Sequence, residues 1–492
     1  MRRRRTIYFN DARHYYLFVF EPPMTLEDAW RPVDEAAGTA VDTFSYGVER
    51  GDGLFYPSRV GMRFGEDIQP FEQAAYWRVW HNMQSLIDRG LDPLTVLIDR
   101  AHDKGMDFFA SLRLGSYGNI DPSLSVRTGG RGYINLEVRD HVFAVLKELA
   151  TEYATEGVEL DFAAPPGGSP FYFQDEDVAE GTPVMTQWLR EVAEMVRGRP
   201  SGAGQVGARV YPTEEINLSK GLDVRTWLKE GLVDFVVPMV YADFAINSDM
   251  PIDWLVQAAH QANISVYPMV QPYYHREDRR FHTVEHATPS MVRAAVASNW
   301  EMGADGMYAW FLLWPLGDAQ RRILTELGDP DLVKEGDKHY VVARSSGASD
   351  ELGLETPLPI EISSSDTGTR HRVPFQIADD VEGAAGRIRQ VRLNVNIKDL
   401  VSADHIKMYL NDRSLAGETC LRRTAGTVAP YSGQWLEFQL SDVRPRKGRN
   451  VLEIVLVKRA DGLVSPLVIE DVEIIVEYGP YPSALETAHT SR

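Results

Sequence analysis

Two acids stand two residues apart in the segment Glu156-Gly157-Val158-Glu159-Leu160-Asp161-Phe162. Read as a strand, this puts Glu159 and Asp161 on one face and Val158, Leu160 and Phe162 on the other. Two inward carboxylates on a buried strand are costly unless they are hydrogen-bonded or used. Hydrolysis of a glycosidic bond uses two carboxyl groups: one protonates the leaving oxygen, and the other attacks the anomeric carbon or activates water. Asp161, nearer the carboxyl end, is the candidate nucleophile or base, with Glu159 beside it. The proton donor must be neutral before reaction, which calls for apolar neighbours that raise its pKa. Asp243 has Tyr241, Phe244 and Trp310 for that setting, and Glu214 has Tyr211 and Pro212. Glu21 and Glu215 are further carboxylates at expected strand ends, Glu21 doubling as a substrate contact.

Aromatic residues crowd the same expected ends: Tyr46, Tyr172, Tyr211, Tyr241 and Trp310 among them. Their ring faces suit the apolar faces of pyranose rings. Arg113 is expected to pair with one of the two acids and so favour its charged form. The stretch Gln271-Pro272-Tyr273-Tyr274-His275-Arg276, continuing to His282, is the most basic patch of an acidic region, suited to an anionic sugar or to internal pairing with Glu277 and Asp278. Gln271 and His275 are its candidate substrate contacts. No His-x-His or similar ligand spacing occurs, so no metal is expected, nor any other cofactor. Two other readings stay open. One is a carbohydrate-binding barrel without catalysis. The other is a lyase acting on uronic-acid polysaccharides, with Tyr241, His275 and Arg113 as base and charge neutraliser.

These residues need a scaffold that gathers strand ends. Short apolar runs recur at 15–20, 40–48, 106–114, 157–162, 206–211, 233–241, 264–270 and 306–311. Near-continuous apolarity bounded by Gly, Pro and Asp marks strands buried on both faces, as in a parallel sheet. Helical periodicity lies between them at 93–104, 138–153, 184–197, 253–262 and 290–302. Eight strands alternating with helices predict a (β/α)8 TIM barrel over residues 1–330, with its site at the carboxyl ends of the strands. No Gly-x-Gly-x-x-Gly follows the first run, which argues against an open dinucleotide-binding sheet. Past Asp329-Pro330 the period becomes two, as in Val391, Leu393, Val395 and Ile397, predicting an antiparallel β-sandwich accessory domain over 331–492.

Tyr133-Ile134-Asn135-Leu136-Glu137-Val138-Arg139-Asp140, the strand 157–161 and Val236-Val237-Pro238-Met239-Val240-Tyr241 together resemble the glycoside hydrolase family 10-like barrels of bacteria. The resemblance spans roughly residues 10 to 320. It implies a barrel that hydrolyses glycosidic bonds of polysaccharide or peptidoglycan, with Asp161 matching the acid of the strand motif. More distantly, the strand is similar to the chitinase-type Asp-x-x-Asp-x-Asp-x-Glu pattern, with Glu156, Glu159 and Asp161 at its first three positions. Ala163 stands where that family has its catalytic acid, so the substrate-assisted mechanism is not implied.

The 492 residues carry a net charge of −20, with 51 basic and 71 acidic side chains. Such a chain is a poor partner for a phosphate backbone, which needs a basic face to displace counterions. No window approaches eighteen apolar residues, so no membrane span is expected. A single cysteine, Cys420, rules out an internal disulfide. Arg2 to Arg5 read as a solvated tail without an apolar export segment behind it. The expected location is therefore cytoplasmic, or periplasmic or secreted where a signal has been trimmed.

Overall fold

The computed structural model describes residues 2–11, 16–50, 53–115, 121–163, 169, 171–241, 244–275, 284–310, 312–345, 352–425 and 433–479. The chain divides into two compact units. The first holds residues 1–242, 251–269 and 303–328, and the second holds 243–250, 270–302 and 329–492.

The first unit is built on a parallel sheet of short buried strands: β1 (Arg5–Asp11), β2 (Thr43–Gly47), β3 (Asp107–Arg113), β4 (Gly157–Asp161), β5 (Gln205–Val210), β6 (Phe235–Pro238), β7 (Ser265–Val266), β8 (Met269–Val270) and β9 (Gly306–Trp310). Their order is β7-β6-β5-β4-β3-β2-β1-β9-β8. The two ends of that path, β7 and β8, are consecutive pieces of chain separated only by Tyr267 and Pro268. Tyr267 N–H donates to Val236 O, and Tyr308 N–H donates to Pro268 O. The sheet therefore curls back onto the segment it began with, as a TIM-like barrel does. Seven of the eight expected runs fall on these strands.

The exception is the first. Residues 16–19 form a short helix, and the strand is Arg5–Asp11, every residue of which is buried. Arg5 is thus no solvated tail. It lies 2.7 Å from Asp107 and donates to Thr43 Oγ1, and its guanidinium sits over the Phe109 ring.

Helices α1 (Pro93–Asp103), α2 (Leu136–Thr151), α3 (Val178–Arg197) and α4 (Asp253–Gln261) lie where periodicity puts them. Asp92 caps α1 by accepting from the Leu94 and Thr95 N–H groups, and Pro93 occupies the first turn, where no N–H is needed. Its apolar face, Leu94, Leu97, Ile98 and Ala101, is fully buried, and each such side chain removed from water contributes about 1.5–3 kcal/mol for the larger residues.

The second unit is β-rich. One antiparallel sheet runs β10 (Lys338–Val341), β18 (Leu467–Tyr478), β13 (Ile388–Lys398), β16 (Gly433–Gln439) and β15 (Thr419–Ala425), with β11 (Ile360–Ile362) also on β18. A second sheet runs β12 (Arg370–Ile377), β17 (Gly448–Lys458) and β14 (His405–Leu410). Alternate residues of both sheets, such as Val373, Phe375, Leu393, Val395, Leu452, Ile454, Val472 and Ile474, meet in one apolar core. Helix α5 (Pro289–Glu301) contributes Ala294 to it.

Candidate active site

Parallel register sets the barrel interior. Ser111 of β3 stands beside Glu159 of β4, Arg113 beside Asp161, and Asp161 beside Arg209 of β5. Inward and outward positions alternate along each strand. Gly207, next to Glu159 in register, is bare because the Phe235 ring crosses there: a Cβ would lie 2.1 Å from it. At the next inward level β5 carries a large, fully buried cation, Arg209.

Arg209 organises the two acids. Its Nε lies 2.7 Å from Glu159 Oε1, and its Nη1 donates to Asp161 Oδ2 at 3.2 Å and to the Tyr241 hydroxyl at 2.7 Å. Its Nη2 reaches Ser111 Oγ and the Tyr308 hydroxyl. The guanidinium stacks 3.9 Å over the Phe9 ring. Burial works against its charge, but Glu159, Tyr241, Tyr308 and Asp161 more than compensate and hold its pKa well above the ordinary value.

The acids are filled in from their other sides. Glu159 Oε1 also accepts from Ser45 Oγ at 3.2 Å and the Tyr308 hydroxyl at 3.0 Å. Asp161 Oδ2 accepts from Tyr241 at 2.8 Å, and Oδ1 accepts the Ala163 N–H at 3.1 Å. Both carboxylates are fully enclosed. Burial pushes the Tyr241 and Tyr308 phenols well above 10, so they stay protonated donors at any working pH. Glu159 Oε2 and the Tyr211 hydroxyl are buried polar atoms without a hydrogen-bond partner among the described residues.

Trp310 joins this cluster. Its ring meets Tyr241 edge-on at 5.0 Å and Phe9 at 5.4 Å. Tyr172 is buried nearby in the chain beyond β4 and donates to Phe162 O at 2.5 Å. The remaining expected site residues stand elsewhere. Arg113 pairs with Asp11 at 2.6 Å and donates to Glu49 O, so the cation on the strand acids is Arg209. Tyr46 neighbours the inward Ser45 and therefore faces outward, packing against Phe108. Glu21 follows the short helix, is exposed, and pairs with Arg78. Glu214 opens a short helix and is held by Arg225 at 2.5 Å. The hydrogen bond from Arg225 lowers its pKa, the reverse of what a proton donor needs. Gln271 is a buried residue of the second unit. Asp243, the side chain of His275 and residues 276–283 lie outside the described residues.

Sequence reasoning missed Arg209, Asp11 and Tyr308. Arg209 had a signal: it is the lone cation inside the apolar run Val206-Gly207-Ala208-Arg209-Val210. Among the described residues, no three His, Cys, Asp or Glu side chains gather as a metal ion requires. No helix among them is long and apolar enough to cross a membrane.

No protein-family model matches the chain, and no curated protein matches it. Solved structures do. A cycloisomaltooligosaccharide glucanotransferase of Paenibacillus sp. is 9% identical, with 95% of this chain and 57% of that chain covered and a TM-score of 0.37. Alpha-L-fucosidase isoenzyme 2 from Paenibacillus thiaminolyticus is 11% identical, covering 74% of this chain and 52% of that chain, at a TM-score of 0.43. A glycoside hydrolase family 18 N-acetylglucosaminidase from Paenibacillus barengoltzii is 12% identical, covering 66% of this chain and 99% of that chain, at 0.38. The chain spans little more than half the length of the first two. At TM-scores below 0.5, none of these likenesses carries an activity over to it.

Proposed function

We propose that the protein is a glycoside hydrolase acting on a poly- or oligosaccharide at the carboxyl ends of the parallel strands, with the second unit as a β-sandwich accessory module. The observation that carries this reading is Asp161: an acid at the end of an interior strand, ion-paired to Arg209 and hydrogen-bonded by Tyr241, among the rings of Tyr241, Trp310 and Phe9. Charge held in place before reaction is what an oxocarbenium-like transition state requires. Asp161 is the nucleophile or base. Arg209 and Tyr241 orient it, and Glu159 shares the cation. Asp243, two positions past Tyr241 in the chain, is the proposed proton donor, since Glu214 is engaged by Arg225.

The test is reducing-sugar release from a panel of plant, algal and bacterial polysaccharides, with ultraviolet absorbance of unsaturated products followed in parallel. On a cleaved substrate, Asp161→Asn is expected to lower turnover by about three orders of magnitude with little change in binding. Retention of more than about a tenth of the rate moves the role to Glu159. Unsaturated products would instead identify a lyase.

A carbohydrate-binding barrel without catalysis is the second reading. It is favoured by the complete enclosure of both acids and by Ala163 in place of an acid. Sugar binding without release of reducing ends from any member of the panel would establish it.

A further inference from the structure

The second unit holds a cavity of about 440 Å³, within the range of roughly 300–1,000 Å³ usual for small-molecule sites. Every residue that lines it belongs to that unit. The last turn of α5 supplies Trp300 and Glu301, the short helix Pro330–Lys334 supplies Asp331 and Lys334, and the segment following β12 supplies Asp380 and Ala384. Solvent reaches it. Its lining includes the ion pair of Lys447 and Glu301, 2.7 Å apart, whose side chains are 48% and 45% exposed.

Part of the wall is already saturated. Lys338 and Asp379 line the cavity and are almost fully buried. The ammonium donates to Asp379 Oδ1 at 2.9 Å and to the carbonyls of Lys334 and Gly336 at 3.0 and 3.1 Å, which uses its three protons. The Tyr340 hydroxyl donates to Asp379 Oδ2 at 2.7 Å, and the Tyr478 hydroxyl donates to Oδ1. This pair carries no net charge and shapes the cavity. Other groups are open. Asp331 and Lys334 are exposed, and their side chains make no hydrogen bond or ion pair among the described residues. Asp380 accepts the Gly383 N–H on Oδ1 at 2.9 Å and keeps Oδ2 unused.

The balance of charge selects the ligand. The lining carries four cations, Lys334, Lys338, Arg387 and Lys447, against four acids, Glu301, Asp331, Asp379 and Asp380. An anion placed there meets as many acids as cations, and a cation fares no better, so neither gains a net field. A neutral molecule rich in hydroxyls suits both signs, because a hydroxyl donates to a carboxylate and accepts from an ammonium. Trp300, half-buried in the lining, adds a ring whose face suits the C–H side of a pyranose.

We propose that this cavity is a binding site for a neutral sugar, a mono- or disaccharide unit of a glycan, carried by the second unit itself. The ligand class follows from the cavity's own side chains, so the site does not depend on catalysis at Asp161.

The test is isothermal titration of the full-length protein with maltose, cellobiose and lactose as neutral probes, and with digalacturonate and glucosamine as charged ones. The wild type is expected to bind at least one neutral disaccharide and neither charged probe more tightly. Replacing both open groups, Asp331→Ala with Lys334→Ala, should weaken that binding about tenfold or more while the protein melts as the wild type does, since both positions are exposed. Ala384→Trp fills the cavity instead of stripping it and should abolish the same binding, so the outcome does not hang on one variant. Failure of every neutral probe to bind at high concentration would overturn the proposal, as would binding that both variants leave intact. Tighter binding of a charged probe would also overturn it, because the charge balance would then select nothing. Reducing-sugar release from a polysaccharide without sugar binding at this cavity sinks the present proposal and leaves the barrel's reading standing. Binding lost in the cavity variants, with no release from any polysaccharide, does the reverse.

Discussion

Replacing Arg209 by Met keeps most of the side chain's length and deletes its charge. Arg209 lies 2.7 Å from Glu159 Oε1 and 3.2 Å from Asp161 Oδ2, all three groups being enclosed. At those separations and an effective dielectric of about 20, each contact has a Coulomb energy of roughly 5–6 kcal/mol. Most of it offsets the desolvation of the three ions, so the intact set contributes little net stability. Removing the cation is different, because two like charges then remain buried without compensation. Such a deletion costs about 3–5 kcal/mol. The guanidinium's position over Phe9 adds to the loss. For a unit of this size roughly 2 °C is lost per kcal/mol, so Arg209→Met should melt about 6–10 °C low by calorimetry or circular dichroism. Adding Glu159→Gln and Asp161→Asn to Arg209→Met removes the uncompensated charges and should restore at least half of that loss. A single variant that melts within about 2 °C of the wild type, or a triple variant no more stable than the single, would refute the account. An insoluble single variant with a soluble triple would support it.

Other outcomes follow from the same interactions. The Asp161→Asn variant should lose activity by orders of magnitude while keeping its sugar-induced melting shift. At high pH, burial holds Tyr172, Tyr241 and Tyr308 protonated far past their ordinary value, and Tyr267 is pushed up to about 12. A raised folded-state pKa gives stability that is present below the unfolded value near 10 and lost as pH rises. Tyrosinate absorbance should therefore lag at these residues and then appear together with loss of the far-ultraviolet signal; smooth independent titration of all tyrosines would contradict this. In the second unit, burial opposes ionisation of Glu473, but the His339 imidazole 3.1 Å away and hydrogen bonds from Tyr274 and Asn394 outweigh it and hold its pKa below the usual range. The depressed value gives stability present above the unfolded pKa near 4.3 and lost as pH falls through the folded one. The urea-stability gap between wild type and Glu473→Gln should thus be open at about pH 7 and close by about pH 3.

Seven of the eight strand runs were legible because buried parallel strands are written as continuous apolar runs between Gly, Pro and Asp. The first run failed for a physical reason. Tyr15 to Phe20 is apolar enough for a strand, yet a short apolar run does not distinguish strand from helix. The true strand begins and ends on charges, Arg5 and Asp11, whose partners Asp107 and Arg113 are about a hundred residues away in the chain. That shift moved Glu21 from a strand end to an exposed turn and hid Asp11. The carboxylate pair on β4 was readable from spacing alone. Its cation was not, because Arg113 and Arg209 both stand beside Asp161 in register and only the folded barrel shows which one turns to it. Tyr46 was lost to parity: one residue along β2 exchanges the interior for the helix layer.

The joint at Tyr267 and Pro268 bears on more than closure. With β6 served by the piece before it and β9 by the piece after it, each of these two strands has a neighbour on both sides among the described residues. Sheets are templated into aggregates from open rows of N–H and C=O groups. Loosening this one six-residue stretch, 265–270, would uncover two of them at once, on β6 and on β9. Strand exchange between molecules should therefore begin there, and a bulky or charged replacement near the joint would be felt first as a loss of solubility.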